Sequence, residues 1–181
     1  LDDGTGAGGT DNDMPTLAGS STSVAESGGY AQFTVSLSNP STSPVVFTPS
    51  LNSGTATLGT DTAAAGTLKV STDNGATWST VSGNVSIAAG STSILLRLAV
   101  TNDTTVEGSE SFTLTTTVVG AGTANGSAYG TATITDNDAI VVAGTTSDDD
   151  DVNENRYAIA GNDIVHTGVI SNVAPGVALA I

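Results

Sequence analysis

The amino-acid sequence predicts an all-β chain folded as an antiparallel β-sandwich, and two observations carry that prediction. Apolar and polar residues alternate at every second position through the middle of the chain, as half-buried strands require, and no apolar stripe recurs with the 3.6-residue period of a helix. Turn-forming clusters separate these segments at short intervals, the arrangement of a sandwich built from short strands. The first clear strand is 31–37, where Ala31, Phe33, Val35 and Leu37 face one way and Gln32, Thr34 and Ser36 the other. Shorter candidates follow at 45–48, 67–70 and 84–87. Ile94, Leu96, Leu98 and Val100 then share one face of a strand whose other face carries Leu95, Arg97 and Ala99. Phe112 and Leu114 lie between Ser111, Thr113 and Thr115, and Ala132 and Ile134 lie between Thr131, Thr133 and Thr135. Ser38-Asn39-Pro40, Asp73-Asn74-Gly75, Ala89-Gly90 and Asn125-Gly126 supply the turns. The aromatic residues Phe33, Phe47, Phe112 and Trp78 are expected in the core, packed between the sheets.

Composition narrows the function. Among 181 residues, 18 are Asp or Glu and three are Lys or Arg (Lys69, Arg97 and Arg156), for a formal net charge of -15. Affinity for nucleic acid is built from clustered cations, so a nucleic-acid partner is excluded, and anionic membrane surfaces are repelled for the same reason. No apolar run approaches the roughly eighteen residues of a membrane span, and the first residues show no secretory leader pattern. With no cysteine and the single histidine His166, thiolate and imidazole chemistry are scarce, so the chain is not expected to be an enzyme.

An internal repeat defines the organisation. Asp11-Asn12-Asp13 precedes Thr16-Leu17-Ala18-Gly19 at the same spacing as Asp136-Asn137-Asp138 precedes Val141-Val142-Ala143-Gly144, 125 residues further on. Val24-Ala25-Glu26 has a counterpart in Val152-Asn153-Glu154. The expected division is therefore a tail of a preceding repeat at 1–13, a complete sandwich at 14–138, and at 139–181 the start of a next repeat or an extension packed on the sandwich. The Asp tract 148–151 suits a solvated or ion-bound connector better than a strand.

Within 14–138 the acidic residues are Glu26, Asp61, Asp73, Asp103, Glu107, Glu110, Asp136 and Asp138, and most stand at strand ends or in turns. The loops of a sandwich gather at its two ends, so carboxylates distant in sequence converge there and repel one another, with almost no Lys or Arg to offset them. Calcium relieves that repulsion, since it takes six to eight oxygens from carboxylates, Asn side chains and backbone carbonyls. Glu26, Asp103, Glu107, Glu110, Asp136 and Asp138 are the candidate ligands for several calcium ions, with Asp11 and Asp13 as linker candidates.

The same residues carry a family resemblance. Val24-Ala25-Glu26-Ser27-Gly28-Gly29, the strand 31–38, Gly59-Thr60-Asp61, Asn102-Asp103, Glu107-Gly108-Ser109-Glu110 with the strand after it, and Gly130 to Asp136-Asn137-Asp138 resemble, in order, the Calx-β module. The resemblance implies a calcium-binding, immunoglobulin-like β-sandwich and places Glu26, Asp61, Asp103, Glu110, Asp136 and Asp138 on ligand-bearing motifs. Asn102 stands where an acidic residue is common, and Thr62 where an aromatic is usual. The Ser/Thr/Gly/Asp-rich, cysteine-free, repetitive setting further resembles the repeats-in-toxin adhesins that bacteria export by type I secretion and use in biofilms. It implies an extracellular, cell-surface location and a monomeric module in a long chain. The added length of 52–78 resembles the peptide-binding modules of those adhesins, in which a calcium helps hold a peptide's carboxylate terminus. A ligand site at Asp61, Asp73, Asn74 and Trp78 is the corresponding expectation. The partner expected is an extracellular peptide or protein on a host or neighbouring cell, with a glycan as the alternative. A passive calcium-stiffened extender and a calcium sensor are the competing functions.

Overall fold

The computed structural model describes residues 14–142 and the strands 157–160 and 163–166, with side chains described for 14–138. These residues divide into two compact units, the first made of 14–103 and 109–135, the second of 104–108, 136–142 and the two later strands.

The first unit contains strands β1 (Leu17–Gly19), β2 (Thr22–Ala25), β3 (Tyr30–Leu37), β4 (Val45–Ser53), β5 (Lys69–Ser71), β6 (Ser79–Thr80), β7 (Val85–Ile87), β8 (Ser93–Ala99), β9 (Glu110–Val118) and β10 (Ser127–Thr135). They build two five-stranded sheets, in the orders β1-β3-β8-β5-β6 and β2-β10-β9-β4-β7. The predicted alternation decides which side chains meet between them. Ala31, Phe33, Val35 and Leu37 of β3 and Ile94, Leu96 and Leu98 of β8 are buried from one sheet. Phe112, Leu114, Ala132 and Ile134 come from the other. Phe33 and Phe112 meet edge to face across the core, with ring centroids 5.8 Å apart and planes at 75°. That geometry sets the positive edge of one ring against the negative face of the other. Phe47 is also fully buried, as expected.

Trp78 is not a core residue. It follows the turn after β5 and lies half-buried on the outer face of the first sheet, because β5 and β6 form a hairpin at that sheet's end. Strand β4 is longer than its apolar signal and runs on to Ser53. Pro49 is tolerated there because β7 pairs only with Val45, Val46 and Phe47, leaving the Pro49 side of β4 without a ladder to donate to.

The antiparallel prediction holds for all pairs of the sandwich except one. Strands β1 and β2 were not legible as strands, and they carry the chain from one sheet to the other. Strand β1 pairs antiparallel with β3, whereas β2 pairs parallel with β10. The crossing depends on two glycines. A Cβ on Gly19 would lie 2.8 Å from the Tyr129 backbone, and one on Gly130 would overlap the Ser20 carbonyl oxygen. Asn125 fixes β1 in place of a further strand: the Leu17 N–H donates to its Oδ1 at 2.7 Å and its Nδ2 donates to the Leu17 carbonyl at 2.8 Å.

The second unit contains β11 (Ala139–Val142), β12 (Tyr157–Ala160) and β13 (Asp163–His166), which form a three-stranded antiparallel sheet in chain order. The expectations for Asp11, Asp13 and the 148–151 tract, and the comparison of repeat openings, lie outside the described residues. No helix among the described residues is long and apolar enough to cross a membrane.

Candidate metal centre

At one end of the first unit β2, β8 and β10 finish while β3 and β9 begin, so loops from both sheets gather there. After β2 the chain enters a single 3-10 turn, Glu26–Gly28, and Gly29 exits it with φ +79°, a conformation that favours glycine. The Gly29 carbonyl accepts the Val100 N–H at 3.1 Å, tying this turn to the end of β8 just before Asp103. Glu26 is 6% exposed, which is rare for a carboxylate. A carboxylate oxygen of Glu26 lies within 4.8 Å of one of Asp103.

A second acidic pair forms beside it through the loop after β4. The Asp61 Oδ2 accepts the Thr57 N–H at 2.6 Å, closing a tight loop that Gly59 completes with φ +94°. This loop is pinned on two sides. The Thr101 N–H donates to the Asp61 carbonyl at 2.9 Å, and the Ala56 N–H donates to the Ser111 carbonyl at 2.9 Å. The second bond holds the loop against the start of β9, where Glu110 stands, and carboxylate oxygens of Asp61 and Glu110 come within 4.8 Å of each other.

In the second unit Asp136 acts as an organiser. Its Oδ2 accepts the Glu107 N–H at 2.7 Å, and its Oδ1 accepts the Asp138 N–H at 2.7 Å, the second being an Asx-type turn. The Asp138 Oδ2 is buried and has no hydrogen-bond partner among the described residues. Burying a carboxylate oxygen without a donor is costly, and a coordinated cation removes that cost. The donors in both units are hard oxygens, without thiolate or imidazole among the candidates, so the set fits calcium and not zinc.

The expected ligand site at Asp61, Asp73, Asn74 and Trp78 does not converge. Asp61 sits beside Val100 and Thr101, past one end of β8, whereas Asp73 follows Ser71, whose partner Leu95 is near the other end. Asp73 organises its own turn. It accepts hydrogen bonds from the Ser71 hydroxyl at 2.7 Å, the Thr77 N–H at 2.9 Å and the Thr77 hydroxyl, and these donors lower its pKa to about 2, the Thr77 hydroxyl contributing most. Asn74 adopts φ +58° and Gly75 φ +91° at the tip. A shallow cleft of about 350 Å3 lies between this turn and residues 90–95. The Trp78 Nε1 donates to the Gly75 carbonyl at 3.0 Å, and its ring lies 3.9 Å from the Arg97 guanidinium carbon. Sequence reasoning missed Arg97, although a lone arginine at an outward position of an otherwise apolar strand was visible.

A sandwich with carboxylates gathered at one end has the oxygen donors that a cation-binding β-module uses. The Calx-beta domain family matches residues 9–75 and 66–140, and the chain belongs to that family. Domains of this family are non-enzymatic modules, and its members bind calcium. Among solved structures, the apo-form Calx CBD1 domain is 19% identical with a TM-score of 0.48, over 68% of this chain and 99% of that one. The calcium binding domain CBD12 of CALX1.1 is 18% identical with a TM-score of 0.48, over 68% of this chain and 45% of that one. The Calx CBD2 domain is 12% identical with a TM-score of 0.45, over 66% of this chain and 86% of that one. No curated protein matches the chain.

Proposed function

We propose that the chain is a calcium-stabilised adhesion module of a large bacterial surface adhesin, exported by type I secretion and working outside the cell. The observation that carries the calcium reading is the pairing of Glu26 with Asp103 and of Asp61 with Glu110, like charges held within 4.8 Å by loops whose hydrogen bonds leave them little freedom to separate. The proposed ligands in the first unit are those four carboxylates, and Glu107, Asp136 and Asp138 are the proposed ligands in the second. Calcium supplies charge neutralisation there and no chemistry. The net charge of -15 supports the extracellular setting. Self-repulsion keeps the chain open where calcium is scarce, and millimolar external calcium stabilises the fold by mass action.

Adhesion is preferred to a passive extender because the 72–80 segment, with Trp78 laid over Arg97, elaborates one outer face in a way that a spacer does not require. The partner is on a host or neighbouring cell. A peptide held jointly by Asp61, Asp73 and Trp78 loses its support, since those residues stand apart. Titrating chelator-stripped protein with calcium by calorimetry tests the metal reading. Saturable binding weakened by Asp103→Asn is expected, and no saturable uptake at about millimolar calcium, the range of extracellular modules, would refute it.

A further inference from the structure

The described residues include two of the three cations of this chain, Lys69 and Arg97, and they are not spread apart. They face each other directly across β5 and β8, in register Lys69↔Arg97. Gln32 extends the same row on one side and Thr80 on the other, in register Gln32↔Arg97 and Lys69↔Thr80. This row runs across the outer face of the first sheet, since the alternate residues Ala31, Phe33, Leu96 and Leu98 are in the core. Like charges placed directly opposite each other on a sheet destabilise it, and an anion bound between them reverses the sign. Aspartate does not serve as that anion from the adjoining turn, because both Asp73 oxygens are committed to Ser71 and Thr77.

Arg97 is held unusually firmly. Its guanidinium carbon lies 4.0 Å from the Tyr30 ring centroid and 3.9 Å from that of Trp78, and its Nε is buried without a hydrogen-bond partner among the described residues. With two rings against it, what the guanidinium has left to offer is its in-plane N–H donors, the geometry that suits a carboxylate. Tyr30 is 44% exposed, so much of it remains open at the edge of this row.

We propose that this row binds the carboxylate of an acidic sugar, a uronate residue of a polysaccharide. Arg97 and Lys69 donate to the carboxylate, Gln32 and Thr80 bond ring hydroxyls, and Tyr30 packs on the apolar face of the sugar. A sugar fits better than an extended peptide because the row lies on the face of the sheet. Main-chain groups there are used by the strand ladders, so recognition falls to side chains and a ring. A polyphosphate backbone offers no apolar ring face to Tyr30, whereas a uronate brings a carboxylate and such a face together. The proposal deepens the adhesion reading and rests on it for its extracellular setting, but calcium plays no part in the contact.

Titrating the full chain with trigalacturonate and with neutral galactotriose, in calcium and after EDTA, tests it. Trigalacturonate is expected to bind at least about tenfold tighter than the neutral sugar, and Arg97→Gln and Lys69→Gln are each expected to weaken it by about tenfold. Lys69→Gln and Tyr30→Ala keep the test usable if Arg97→Gln unfolds. Equal binding of acid and neutral sugar, unchanged affinity in Lys69→Gln, or tighter binding of a short peptide with a free carboxylate terminus would each overturn the proposal. A chain that takes up no calcium yet still captures trigalacturonate refutes the metal reading and leaves this one standing, and the converse result does the reverse.

Discussion

Asp73 and Asp136 each organise a turn through hydrogen bonds to their carboxylates, and they differ in whether the chain supplies everything the acids around them need. Asp73 receives the Ser71 hydroxyl and both the N–H and hydroxyl of Thr77, within a few residues of itself. Those donors satisfy its charge, and no cation is called for. Asp136 receives the N–H groups of Glu107 and Asp138, each of which brings another carboxylate with it. Asp138 Oδ2 is then left buried without a hydrogen bond among the described residues. One acidic turn is therefore a structural device complete in itself, and the other concentrates negative charge that the chain's three cations cannot offset. Acidity alone does not mark a metal site; the donors around each carboxylate do.

The largest expected effect that separates the two turns is on calcium affinity. Replacing Asp136 and Asp138 together by Asn should weaken calcium binding by about one to two orders of magnitude, as lost ligands and their supporting contacts do. Asp73→Asn should leave it unchanged, and equal losses in the two variants, measured by calorimetry, would erase the distinction. A smaller effect is expected on stability. Asp73→Ala should lower the melting temperature to the same extent with and without calcium, because the turn it closes is independent of the metal.

The acid dependence follows from the lowered pKa of Asp73, about 2 against an ordinary 3.8. Its stabilising contribution is complete above the ordinary value and is lost as pH falls toward about 2. Difference melts of wild type and Asp73→Asn, both in EDTA, should converge as pH is lowered from 5 to about 2. A constant difference would show that the Ser71 and Thr77 bonds do not act on the ionised form. The smallest effect is Gly75→Ala. A Cβ there would lie 3.6 Å from Leu95, an ordinary contact, so the cost is the strain of φ +91° alone, about 1 kcal/mol by denaturant unfolding.

The strands that build the core were legible because burial imposes a two-residue period, and β3, β8, β9 and β10 carry it for seven or more residues each. The three-residue β1 and four-residue β2 are too short to show a period. Their crossing from sheet to sheet rests on Gly19 and Gly130 passing close to backbone more than a hundred residues away in sequence, a contact no local pattern encodes. Trp78 was misplaced for a related reason: an aromatic after a turn carries no signal of which face of the sheet it will cover. Glu26, Asp103, Asp61 and Glu110 were legible as strand-end acids, but their partners were not. The Val100–Gly29 and Ala56–Ser111 backbone bonds are what draw Glu26 toward Asp103 and Asp61 toward Glu110. Asp61 and Asp73 are close in sequence, yet they stand toward opposite ends of β8, which short spacing could not disclose.

Thermal unfolding of the full chain in calcium and after EDTA shows whether the fold is stabilised by the ion. A ligand present at about a hundred times its dissociation constant stabilises the folded state by about 2.7 kcal/mol, which corresponds to roughly 5–10 °C for a chain of this size. A fall of at least that order is expected in EDTA, restored by calcium and not by sodium chloride of equal ionic strength. Superimposable melting curves in calcium and EDTA would contradict it.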